Sequence, residues 1–271
     1  MDLFKGRTAV LATMHCKEQA IAPILESEFD LKIIVPPDFN TDQFGTFTRE
    51  IARTGDQIEA ARRKALSAIE QTGLDFAIAS EGSFAPHPAM PMLPSDREIV
   101  LLIDTVHNLE IIGEVISLET NFAHRSVSNF EQAREFAIKV GFPDHKLVVI
   151  DQDQITKGIC DFQQLEQLIN AASKPVHIET DMRAMNNPTR MSAIAQATQD
   201  LVKKLKSSCP NCSKPGFSVV DIKRGLPCGW CNAPTDLILA EIYRCQTCGF
   251  EQLLPTESQV ADPMYCAFCN P

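Results

Sequence analysis

Eight cysteines in the last 63 residues fall into four C-x-x-C pairs: Cys209/Cys212, Cys228/Cys231, Cys245/Cys248 and Cys266/Cys269. A disulfide framework would need an oxidising compartment. No secretory signal is expected at the N-terminus, since Asp2, Lys5 and Arg7 precede an apolar run that stops at Met14. The expected compartment is therefore the cytoplasm, and the expected role of the thiols is metal binding. Zn²⁺ takes four soft thiolates in a tetrahedron, and each C-x-x-C turn presents two sulfurs. Four such knuckles make two complete Cys₄ sites, so two structural zinc ions are expected.

The spacing suggests how the knuckles pair. Fifteen residues separate Cys212 from Cys228, and 17 separate Cys248 from Cys266. Both gaps fit a zinc ribbon, which pairs the first knuckle with the second and the third with the fourth; crossed pairing is the alternative. The domain boundary is expected near Ser207. Residues 1–207 then form one domain and 208–271 a double zinc ribbon. A segment that short has too little core to fold robustly by itself. Two metal sites would supply the missing stability.

Charge divides the chain in the same place. Residues 203–271 hold seven Lys/Arg and six Asp/Glu, whereas residues 1–202 hold 18 against 29. Two Cys₄–zinc centres, each carrying −2, turn the tail's formal +1 into about −3. With a net charge of −10 overall, a broad nucleic-acid surface is not expected. At 44% apolar and 22% charged the chain reads as globular. No apolar run approaches the ~18 residues of a membrane helix.

The first 200 residues read as alternating strands and helices. Strands are expected at Thr8–Met14, Leu31–Val35, Phe76–Ser80, Lys146–Ile150 and Val176–Thr180. Helices are expected at Lys17–Ser27, Asp56–Gln71, Asp161–Ala172 and from Thr189 to Lys206. A further helix opens at a Ser128–Glu131 capping box and ends at Val140. Glu98–Ile103 and Glu110–Glu119 form a hairpin around His107-Asn108. Glu81–Ser95, with four prolines, is expected as a loop. The fold class is therefore α/β: a mostly parallel sheet with helices on both faces and one antiparallel hairpin.

In such a sheet ligands bind beyond the carboxyl ends of the strands. Three polar segments lie there. The first holds His15 and Lys17, and the second Glu81-Gly82-Ser83. The third runs through His177, Glu179, Asp181, Arg183, Asn187 and Arg190. If the last strand is extended, His177, Glu179 and Asp181 share a face. Glu81, Glu179 and Asp181 could hold Mg²⁺ or act as a base, and Lys17, Arg183 and Arg190 could neutralise an anion. His15, Ser83, His177 and Asn187 complete the candidate ligand set. Cys16 and Cys160 read as small buried hydrophobes rather than nucleophiles.

Two resemblances rest on these residues. Phe44-Gly-Thr-Phe-Thr48, Ala79-Ser-Glu-Gly-Ser-Phe84, Thr180-Asp-Met-Arg-Ala184, Asn187-Pro-Thr-Arg190 and the four knuckles resemble an uncharacterised bacterial family. That family is a domain of unknown function ending in a cysteine-rich zinc ribbon. The first 120 residues are also similar in layout to inosine/xanthosine triphosphate pyrophosphatases. Those enzymes have a T-x-N-x-x-K turn after the first strand; here Thr13-Met-His15-Cys-Lys17 is one residue shorter, with His for Asn. Their I-E-G-G turn supplies a Glu that helps hold Mg²⁺; here Ile78-Ala-Ser-Glu81-Gly82-Ser83 follows the same order. This second resemblance implies a Mg²⁺-assisted hydrolase or transferase acting on a small phosphorylated, nucleotide-like substrate. The competing expectation is a non-enzymatic ligand-sensing or protein-interaction module whose ribbon contacts a macromolecular partner, the tail's charge favouring a protein, or a purely structural ribbon, over nucleic acid.

Overall fold

The structure is a computed structural model that describes residues 3–37, 39 and 56–270. The Phe44–Thr48 motif lies outside the described residues. The chain divides into two compact units, Met1–Val202 and Lys203–Pro271.

The first unit contains two sheets rather than one. Five strands form the first: β1 (Thr8–Ala12), β2 (Lys32–Ile34), β3 (Phe76–His87), β4 (Met90–Asp104) and β5 (Leu109–Ser117), in the order β2-β1-β3-β4-β5. Only the β1 pairings with β2 and β3 are parallel; β3, β4 and β5 form an antiparallel meander. The second sheet is antiparallel throughout. It holds β6 (His124–Val127), β7 (Leu147–Asp151), β8 (Gln154–Ile159) and β9 (Val176–Thr180), in the order β6-β9-β7-β8. The expectation of a mostly parallel sheet is thus corrected. Two strands missed in the sequence, β6 and β8, are the reason. Inserted beside β9 and β7, they turn what read as parallel crossovers into antiparallel neighbours.

The Glu81–Ser95 segment is also corrected, because it continues β3 and β4 as a long ribbon. Ser83 registers with Arg97, Phe84 with Asp96 and Pro86 with Pro94. Prolines are tolerated there because the distal end, residues 90–94, is exposed and its pairing ends at the turn.

Helix boundaries follow local chemistry. In α2 (Gln57–Thr72) the Asp56 side chain accepts from the Glu59 N–H, and Gly73 closes the helix at φ 69°. Its Ala61, Ala65 and Ala68 pack on Ala77 and Ala79 of β3 and on Ile99 and Leu101 of β4. Small residues on both sides let helix and sheet approach closely. In α3 (Phe130–Lys139) the cap is Asn129, one residue later than expected. Its side chain accepts from the Gln132 N–H, and Gln132 Oε1 accepts in return from the Ser128 N–H. Asp161 caps α4 (Phe162–Ala171) in the same way. Ala133, Phe136 and Ala137 of α3, with Leu165 and Ile169 of α4, cover one face of the second sheet through Val149, Val176 and Ile178.

The other face of the first sheet meets α1 (Glu18–Phe29) and α5 (Pro188–Lys206). Phe4 stacks on Phe76 and meets Phe29 of α1 edge-on. Gly113 of β5 lies directly under α5: a Cβ there would sit 2.2 Å from the Ala197 carbonyl oxygen and 2.4 Å from the Leu201 nitrogen. These are backbone atoms and cannot rotate away. Gly113→Ala is therefore expected to lower stability by about 1–3 kcal/mol, as overpacking does. A melting temperature equal to wild type would show that α5 does not pack this tightly.

In the second unit, β10 (Ser218–Arg224), β11 (Ile238–Arg244) and β12 (Glu251–Pro255) form an antiparallel meander. Among the described residues no helix is long and apolar enough to cross a membrane.

Candidate metal centres and a buried charged site

In all four knuckles the N–H of the residue after the second cysteine donates to the carbonyl of the first. In the first, the Cys209 N–H donates to the Lys214 carbonyl, the Ser213 N–H returns to the Cys209 carbonyl, and the Asn211 N–H points at Cys209 Sγ. The second repeats this with Ala233, Asn232 and Trp230 around Cys228. The residue after the second cysteine turns left-handed in three of them, at Ser213, Asn232 and Gly249. Such N–H···S bonds favour thiolate. The Phe250 N–H and the Asn211 side chain pull the Cys248 thiol down to about 6, although burial opposes them.

The knuckles pair crosswise. Cys209, Cys212, Cys245 and Cys248 form one group, and Cys228, Cys231, Cys266 and Cys269 the other. This corrects the expected pairing of neighbours along the chain. The meander explains it. Ser218 registers with Arg244, so the first and third knuckles flank one end of the β10–β11 pair. Arg224 registers with Ile238 and Ala240 with Pro255, which places the second and fourth at the opposite end. Three strands joining four knuckles alternate them between the two ends.

The sulfur geometry suits a tetrahedral ion. A Zn–S bond of about 2.3 Å gives a tetrahedron edge of about 3.8 Å. The separations are 3.7 Å for Cys209–Cys248 and Cys212–Cys245. They are 3.9 Å for Cys228–Cys269 and 3.6 Å for Cys231–Cys266. Both groups could therefore bind a metal ion, and the all-thiolate set is consistent with zinc. Phe217, Tyr243 and Phe250 pack around the first group and shield it.

In the first unit the structure distributes the expected anionic site over separate places. Glu81 lies in the first sheet and Glu179 in the second. Glu81 is buried and ion-paired with Lys64 of α2. Beside it, Gln57 donates to the Glu81 and Arg97 carbonyls, and Ser83 Oγ donates to Gln57 Oε1. In the second sheet His177 Nε2 lies 3.6 Å from Glu179 Oε2, and the His124 ring packs on His177. Asp181, just past β9, has different partners. It accepts from the Gly158 N–H, from Arg183 and from Asn186. Burial pushes the Asp181 carboxyl up, but Arg183 and Asn186 outweigh it and hold the group below the usual aspartate range. His15 sits half-buried in the β1–α1 turn. Cys160 is exposed, which corrects its reading as a buried hydrophobe; Cys16 is half-buried.

Two of the expected residues, Lys17 and Arg190, do converge on one face of the β3–β4 ribbon. Cys16 adopts a left-handed φ of 58°, and the chain then turns Lys17 inward. Its Nζ donates to Ser80 Oγ at 2.8 Å and to the Ser80 carbonyl at 3.1 Å. Arg190 of α5 is 1% exposed and donates from Nε to Glu98 Oε1 at 2.6 Å. Its Nη1 donates to the Met182 carbonyl, and Asn187 caps this turn by accepting from the Arg190 N–H. Gly82 makes room for the pair: a Cβ there would meet Glu98 Oε1 at 2.1 Å.

Sequence reasoning missed Asp96 and Glu98. They are buried, two residues apart on one face of β4. Burial first, and then the Glu98 charge, push the Asp96 carboxyl up to about 8. The available signal was a D-x-E alternation running straight into the apolar Ile99–Ile103 strand. Lys64 was likewise legible as a charge on the apolar stripe of α2.

Burial pulls the Lys17 ammonium down to about 7, helped by Arg190 and opposed by Glu98 and Glu81. The unfolded chain keeps an ordinary lysine near 10.5 and binds more protons between these values. Stability contributed through Lys17 therefore rises with pH from about 7 to about 10.5. The measured wild-type rise should exceed that of Lys17→Met across this window. Parallel pH–stability curves would show that Lys17 is not desolvated.

None of the curated proteins matches this chain. The sequence does match the family model of a domain of unknown function, DUF6671, over residues 64–271. That span takes in most of α2, the whole β3–β4 ribbon, the second sheet, Arg190 and all four knuckles, and the chain belongs to this family.

Proposed function

We propose that this protein carries two structural zinc ions and acts, through its first unit, on a small phosphorylated, nucleotide-like substrate as a Mg²⁺-assisted hydrolase or transferase. The observation that carries this reading is the burial of Lys17 and Arg190 on one ribbon face beside Asp96 and Glu98. Buried charge is expensive to retain unless it is paired or used. In this reading Lys17 and Arg190 offset the charge that develops on a transferring phosphoryl group. The Asp181–Arg183 pair and Asn187 hold the segment that leads into α5, and so position Arg190. Zinc has no catalytic step here, because a closed Cys₄ shell leaves no open position for substrate. The thiolate ligands suit a reducing compartment such as the cytoplasm.

The test is turnover of a panel of nucleotides and sugar phosphates with Mg²⁺ by the zinc-loaded protein. At least one compound should be consumed, and Lys17→Met should lose that activity while keeping its zinc. If no compound is consumed or bound, the reading fails.

A second reading is favoured by the surface of the zinc unit. Trp230 and Phe268 are 78% and 77% exposed, and each lies inside a knuckle of the Cys228 group. A protein partner with an apolar pocket would take them, whereas a net charge of about −3 disfavours nucleic acid. Trp230 is the chain's single tryptophan, so its fluorescence would report such a contact.

A further inference from the structure

We propose that Asp96 and Glu98 seat a divalent cation that enters together with the phosphate of the ligand. The proposal deepens the reading above by assigning the cation to two residues not expected from the sequence. It rests on that reading only for the identity of the anion.

The argument starts from hydrogen-bond satisfaction. Buried polar atoms lacking a partner are rare and call for an explanation. Among the described buried carboxylates, Glu81 is engaged by Lys64, Asp104 by Arg7 and His107, and Asp181 by Arg183, Asn186 and Gly158. Asp96 Oδ1 and Glu98 Oε2 receive no donor from any other side chain or from the backbone. Their residues are 1% and 0% exposed. The two carboxyl groups lie within hydrogen-bonding reach of each other. A proton shared between them, or a cation bound to both, would relieve the repulsion of two buried carboxylates.

Charge balance selects the form the cation takes. Two carboxylates facing Lys17 and Arg190 sum to zero when all four are charged. A lone divalent cation would leave this buried group strongly positive, and a lone phosphate would leave it strongly negative. Entering together, the two add almost no net charge. Mg²⁺ is commonly held in this manner, by one or two carboxylates plus substrate phosphate rather than by an all-protein cage. Glu98 fits the role well because Arg190 Nε fixes one of its oxygens at 2.6 Å and leaves the other for the ion.

The experiment uses the full-length, zinc-loaded chain and Mn²⁺ as the probe, followed by electron paramagnetic resonance with and without inorganic phosphate. Wild type should bind one Mn²⁺ per chain, at least tenfold more tightly with phosphate present, and with phosphorus coupling in the Mn²⁺ spectrum. Asp96→Asn preserves shape and leaves the Glu98–Arg190 pair in place. It should weaken Mn²⁺ binding at least tenfold with zinc content and melting curve intact. Should that variant misfold, the phosphorus coupling in wild type decides alone. Mn²⁺ binding that is indifferent to Asp96→Asn, or to phosphate, overturns the proposal. Coupled Mn²⁺ and phosphate binding without turnover of any panel compound would instead remove the enzyme reading and leave the cation seat standing.

Discussion

Stripping the metal is expected to unfold residues 203–271. Their three strands are short, and β12 is exposed along its whole length. Apolar packing is concentrated around the first thiolate group. Structural zinc contributes about 10–16 kcal/mol of apparent binding free energy in small zinc domains. That exceeds the stability of most such segments without metal. Cys228→Ser should therefore release the ion of the Cys228 group and expose the chain around Cys228–Cys231 and Cys266–Cys269 to protease. Residues of the first unit should remain protected, because their two sheets and covering helices complete their own cores. Limited proteolysis with mass mapping reads this directly. Uniform resistance after zinc removal would mean that the fold of this segment does not depend on metal.

Arg190→Ala is expected to be the most damaging single change in the first unit. It leaves Glu98 charged, buried and unpaired, a situation that costs about 3–5 kcal/mol. At about 2–4 °C per kcal/mol for a unit of this size, the melting temperature should drop by roughly ten degrees or more. Replacing both partners, Arg190→Met with Glu98→Leu, should recover much of the loss, since the desolvated charge then disappears from both sides. A double variant no more stable than Arg190→Ala would show that Arg190 acts through the Met182 carbonyl rather than through Glu98. Arg183 is different. Asp181 keeps the Gly158 and Asn186 donors without it, so Arg183→Ala should be mild.

Elements with strong local chemistry were legible in the sequence. The Asp56 and Asp161 caps, Gly73 behind α2 and the His107-Asn108 turn each announce themselves within a few residues, and the structure uses all of them. What was illegible depended on long-range pairing. His124-Arg-Ser-Val127 buries a single residue, and β8 is mostly half-buried. Both are edge strands, bonded on one side, so neither shows the apolar run that marks a central strand. Missing them converted two antiparallel neighbours into an imagined parallel sheet. With it went the argument that the loops bearing Glu81 and Glu179 emerge at one edge. Asp96 and Glu98 were hidden for a related reason. Four prolines disguised the far end of the ribbon as a loop ending at Ser95, so the strand that carries Asp96 and Glu98 was expected to begin only at Glu98, and its pairing with Gly82 and Phe84 was not foreseen.

The knuckles show the same division between local and non-local information. Each C-x-x-C turn is a local structure, and the metal reading follows from it. Which knuckles meet depends on the number of strands between them, and one intervening strand per gap forces alternation. Zinc stoichiometry in two double variants therefore tests the central claim most directly. Cys212→Ser with Cys248→Ser disables one thiolate group twice and should retain one zinc per chain. Cys212→Ser with Cys231→Ser disables both groups and should retain none. The reverse result, zinc kept in the second variant and lost from the first, would contradict the crossed pairing.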